Sequence, residues 1–142
     1  MKRIVAAAAT VVAGTVLAAC GGQSPYCAAI EENEPTLSSF GKTRTNEAYT
    51  NYATVLRSVA ESAPASVKDD WTALADATDA IVAAQDEVGV PLDDMRAEGT
   101  VEGLDQAQLA TLNEAYEAFN DTTDQRDAVV KDAKIECEIT LS

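Results

Sequence analysis

The chain has 142 residues, with 24 acidic side chains against 10 basic ones and no histidine. That balance repels nucleic acid and anionic surfaces, so nucleic-acid binding is excluded, and the commonest general base of enzymes is missing. Few aromatics and plentiful Ala, Asp, Glu and Thr favour helices over sheets.

The first element is a leader in three zones. Lys2 and Arg3 are positive, Ile4 to Leu17 carries no charge and is dominated by Ala, Val, Leu and Ile, and Ala18 and Ala19 are small. This is the layout of a secretory signal peptide over residues 1–19. It is short for a membrane span, which needs ~20 apolar residues, and Gly21, Gly22, Gln23 and Ser24 follow it instead of a basic stop-transfer cluster. Leu17-Ala18-Ala19-Cys20 closely resembles the lipobox of bacterial lipoproteins. The resemblance implies that a diacylglyceryl group joins the Cys20 sulfur, and that cleavage then leaves Cys20, palmitate-bearing, as the N-terminus. Two acyl chains on one residue give lasting attachment, at ~0.8 kcal/mol per buried CH₂. Residues 20–24 are then the lipidated N-terminus and a short tether. Without Lys2 and Arg3 the remainder holds 8 basic and 24 acidic residues, a charge near −16.

Residues 25–142 are long enough for one modest helical domain. Its first helix is short. Ser24 is a cap, Pro25 suits the first helical position, and Tyr26, Cys27, Ala29 and Ile30 share a face. Pro35 is expected to interrupt it, with Leu37 and Phe40 continuing the packing as far as Gly41. The second helix runs from about Thr45 to Ser62, with Thr45 as N-cap and Tyr49, Tyr52, Leu56, Val59 and Ala63 on its inner face; Ala63-Pro64 ends it.

The third begins after Ser66, a second N-cap candidate, with Asp69 and Asp70 in its first turns. Val67, Trp71, Leu74, Thr78, Ile81, Gln85 and Val88 form its inward stripe, and Gly89 with Pro91 stops it. Residues 89–104 read as a loop, with one helical turn around Leu92–Met95. A loop of that length in a small domain is commonly mobile or functional, and here a gate is one reading. The fourth helix is expected to be the longest, from about Asp105 to Cys137. Its face is Leu109, Leu112, Tyr116, Phe119, Thr123, Val130 and Cys137, with the polar stretch 120–127 bending or breaking it. Together these make an all-α fold: a small antiparallel bundle of three long helices plus a short N-terminal one.

Once Cys20 is lipidated, Cys27 and Cys137 remain as an even pair in an oxidising compartment, which most simply forms one disulfide; two free thiols or an intermolecular bond are the alternatives. Up-down-up-down order independently sets the start of the first helix beside the end of the fourth, so the bond would close the bundle.

No phosphate loop, nucleophile elbow or zinc spacing appears, and the thiols are expected to be oxidised, so no catalytic residue and no cofactor is assigned. Asp121, Asp124 and Asp127, and Asp76 with Asp79, are spaced along helix faces. They lack the ligand pattern and central glycine of a calcium loop and read as solvated surface, so no metal ligand is assigned. Tyr49, Tyr52, Trp71, Tyr116 and Phe119 read as core, with hydroxyls and the indole N–H at the rim.

The lipobox, the flanking cysteines and the acidic Ala-rich helices together resemble small lipoproteins of unassigned role in high-GC Gram-positive bacteria. That resemblance implies a chain lipid-anchored to the cell membrane on its extracytoplasmic face. The function expected is a non-enzymatic scaffold or interaction module with an envelope protein partner. The alternative is a carrier or sensor binding a small ligand or cation between helices.

Overall fold

A computed structural model describes residues 23–142; the leader, the Leu17–Cys20 motif and the lipidation candidate Cys20 lie outside the described residues. The five α-helices are α1 (Pro25–Leu37), α2 (Asn46–Ser62), α3 (Lys68–Val88), α4 (Gln106–Asn120) and α5 (Thr123–Glu136), with a 3-10 turn at Asp94–Arg96. There is no strand among the described residues.

Caps set most boundaries. Ser24 Oγ accepts from the Cys27 amide at 3.1 Å and Thr45 Oγ1 from the Ala48 amide at 3.1 Å, so each hydroxyl satisfies a donor of the first turn that has no partner within its helix. Ser66 does not cap α3. The Pro64 carbonyl takes that part, accepting from the Val67 and Lys68 amides at 3.1 and 3.0 Å. At the other end Gly89 turns left-handed (φ 72°). Its amide and that of Val90 return to the Asp86 and Gln85 carbonyls, a Schellman closure that needs a residue free of Cβ strain. Asp105 and Gln108 form a reciprocal capping box at the start of α4.

Pro35 does not interrupt α1, which continues to Leu37. A proline in the last turn removes only the donor for the Glu31 carbonyl. Glu31 and Pro35 both face solvent, while Leu37 is buried and holds the final turn in place.

The fourth helix is broken inside the polar stretch 120–127 expected to bend or break it, leaving two helices, α4 and α5. Thr122 is buried, and its hydroxyl and amide both bind the Phe119 carbonyl, at 2.7 and 3.2 Å, which closes α4 before α5 begins. The break moves the inward face by one position. Thr122, Val129 and Ala133 are buried, whereas Thr123 and Val130, expected inside, are exposed.

Neighbouring helices are antiparallel. Asn46, at the start of α2, bonds Asp86 near the end of α3 at 2.9 Å, and Gln108 of α4 reaches the Val88 carbonyl at 3.3 Å. α3 is the central helix, packing on α2, α4 and α5, while α1 lies on α2 and touches α5. All seven residues of its expected stripe are buried. Two clusters make the core: one around Ile30, Leu56, Val59, Trp71 and Ala133, the other around Tyr49, Ile81, Val88, Leu92 and Leu112.

Candidate functional site

The end of the bundle where α1 begins is held three ways. The Cys27 and Cys137 sulfurs are bonded, with the two Cα atoms 5.2 Å apart and 110 residues between them in sequence. One residue before Cys27, the Tyr26 hydroxyl donates to Asp132 at 2.8 Å and accepts from Trp71 Nε1 at 3.0 Å. Edge-to-face packing of Tyr26 on Trp71, centroids 6.4 Å apart, completes the joint. The indole N–H thus stays in the core and does not reach the rim, because a buried hydroxyl from α1 supplies its acceptor. Burial first, then the Asp132 carboxylate, pushes the Tyr26 hydroxyl well above the usual tyrosine range, so it remains a neutral relay between the two partners.

The acidic rows resolve differently. Asp76 and Asp79 converge on one cation: Arg57 of α2 binds Asp76 at 2.7 Å and also contacts Asp79, so this pair closes a surface ion bridge between α2 and α3. Asp121, Asp124 and Asp127 remain on an exposed face. No group of three metal-ligating side chains occurs among the described residues.

The 89–104 segment is pinned at its start. The Leu92 side chain is buried and its amide donates to Asn46 Oδ1 at 3.0 Å, while Met95 and Leu104 pack against the second core cluster. Five surface clefts are lined by other residues, and the segment borders none of these five.

An aromatic centre lies between the two core clusters. Phe40, in the connection from α1 to α2, stacks on Tyr52 with centroids 4.1 Å apart and meets Tyr49 and Phe119 at 5.2 and 5.4 Å. Arg126 of α5 lies over the other ring of this group, 5.2 Å from the Phe119 centroid. Burial drives the Tyr52 hydroxyl up to about 12, with Arg126 opposing the shift. Phe40, expected to continue the packing of Leu37 as far as Gly41, does so as the hub of this group, and Gly41, with its left-handed backbone (φ 77°), turns the connection back.

Beside Phe40 and these tyrosines is a cleft of about 170 Å³, bounded by the end of α1, the connection and the first half of α2. Its remaining walls are Thr36, Ser39, Gly41, Thr43, Ala48 and Asn51. No family model, curated protein or solved structure matches the chain.

Proposed function

We propose that the chain is a lipoprotein, held through Cys20 on the extracytoplasmic face of a bacterial cell membrane, whose helical body serves as a non-enzymatic scaffold or interaction module of the envelope. The observation that carries this reading is Leu17-Ala18-Ala19-Cys20 standing directly after an uncharged stretch that follows Lys2 and Arg3. The Cys27–Cys137 bond supports it, since such bonds persist in oxidising compartments. Covalent geometry keeps the body close to its anchor: Cys20 lies five residues before Pro25, a reach of at most about 17 Å. The non-enzymatic part rests on a chain without histidine and on carboxylates that are spread over solvent faces or engaged by Arg57, by the Tyr26 hydroxyl or in a helix cap.

Cys20→Ala tests the anchor. The protein is expected to leave the membrane fraction, and retention of the variant after a carbonate wash would overturn the lipid-anchor reading.

A further inference from the structure

The end of the bundle nearest Cys20 differs from the rest of the surface. No charged residue occurs from Cys20 to Ile30 or from Ser62 to Val67, in a chain that is 24% charged. The fold brings the two stretches together. Pro25, at the start of α1, and Pro64, in the turn between α2 and α3, line one cleft whose only charged member is Glu136 of α5. The opposite end is acidic: the 89–104 connection carries Asp93, Asp94, Glu98 and Glu102 against Arg96 alone.

A second cleft shares Glu136 with the first and lies between the start of α3 and the end of α5. Ile135 lines it and is 63% exposed, the most of any large aliphatic side chain among the described residues. A lone exposed aliphatic residue is ordinary on a protein surface. This one adjoins Ser66 and Val67 of the uncharged turn, and so continues the surface made by exposed Pro25, Pro64 and Ala65.

Chain length gives this surface its partner. Cys20 stands at most about 17 Å from Pro25, whereas α3 alone is about 30 Å long. A bilayer that holds Cys20 therefore meets this end of the bundle, while the acidic end has room to point away from it. We infer that the body stands on the bilayer by this end, with the α2–α3 turn, Pro25 and Ile135 seated in the headgroup layer as an apolar foot. The inference rests on the lipid anchor at Cys20. Uncharged side chains enter that layer without the cost of dehydrating a charge. Lys131 and Lys134 flank Ile135 in sequence, and their long stems let the ammonium groups stay with the phosphates. Asp70 and Glu136 share the cleft with Lys131 and offset its charge, so the contact does not depend on anionic lipid.

The test uses the isotope-labelled full chain, purified from bacterial membranes and placed in phosphatidylcholine nanodiscs that contain some lipid with a gadolinium chelate on its headgroup. Amide relaxation is read by NMR. Enhancement is expected to be strongest from Ala63 to Ser66 and at Ile135, weakest over 89–104, and unchanged by added salt. Ala65→Glu and Ile135→Glu, both at exposed positions, should keep the parent melting temperature and the chain in the discs, and should cut the enhancement over 63–66 severalfold. Equal enhancement at the two ends, a pattern that collapses in high salt, or one that both variants leave unchanged would overturn the inference. Changes at Ala65 and Ile135 that follow the number of chains per disc would assign the surface to a second copy, and would overturn it too. A chain that elutes free of the discs would instead overturn the anchor reading, and this inference with it.

Discussion

At the end of the bundle where α1 starts, Ile30, Leu56, Val59 and Trp71 are almost wholly enclosed, and a disulfide ties α1 to α5 around them. At the other end Ile81, Val88, Leu92 and Leu112 pack with partly exposed Val90, Met95, Leu104 and Tyr116, and the long 89–104 connection forms the boundary. The polar groups differ in the same direction. Trp71 Nε1, Tyr26 and Asp132 form a satisfied chain, whereas buried Gln85 donates to Tyr116 but leaves its carbonyl oxygen without a partner among the described residues. The first end is thus closed covalently and by complete pairing. The second depends on fewer apolar contacts, and local opening is expected to begin there.

The sharpest way to break this contrast is Cys27→Ser. The bond closes a loop of more than 100 residues, worth about 4–5 kcal/mol in the chain-entropy model. The melting temperature should fall by roughly 10 °C or more under non-reducing conditions. An unchanged melting curve would mean that packing alone closes that end.

Core truncation compares the two ends directly. Leu56→Ala, at a fully enclosed position, should cost about 3–5 kcal/mol, against about 2–3 kcal/mol for Leu112→Ala, where partly exposed neighbours can collapse into the space. Equal losses in denaturant titrations would erase the distinction.

A smaller effect depends on pH. Burial raises the Tyr52 hydroxyl from 10.0 in the unfolded chain to about 12 in the fold. Its contribution is therefore fully present below pH 10 and is lost as the pH climbs towards 12, in total roughly 2–3 kcal/mol. Tyr52→Phe should flatten the alkaline fall in stability between pH 9.5 and 11.5, leaving the slope from Tyr26, whose hydroxyl is also raised. A variant with the parent's alkaline slope would show that the Tyr52 hydroxyl is already solvated.

Gln85→Leu should change stability least, within about 1 kcal/mol. It removes one hydrogen bond together with an unpaired carbonyl, and water can reach the half-buried Tyr116 left behind. A loss above about 2 kcal/mol would reveal a partner for that carbonyl and make the second end as fully paired as the first.

The sequence made α2 and α3 readable because their inner faces keep the helical period over many turns, and Thr45 and Gly89 mark boundaries with side-chain and backbone chemistry of their own. The disulfide was readable from cysteine number and helix order together. A break within 120–127 was readable from that polar stretch, but not its place at Thr122, because neither glycine nor proline marks it; a threonine hydroxyl taking one carbonyl ends α4, and the inner positions expected at Thr123 and Val130 fall to Thr122 and Val129. Pro35 misled in the opposite sense, since a helix-breaking residue does little in a solvent-facing last turn. The cleft was illegible for a different reason. Its walls come from a helix end, a non-periodic connection and the outer half of α2, and no spacing in the sequence announces that they meet.

The most direct test of the central claim, a lipid-anchored extracytoplasmic protein, is mass spectrometry of the N-terminal peptide of the protein purified from bacterial membranes. The account predicts a peptide that begins at Cys20 and carries a diacylglyceryl group on its sulfur. A peptide that begins at Met1, or one that contains Cys20 as a free thiol, would contradict it.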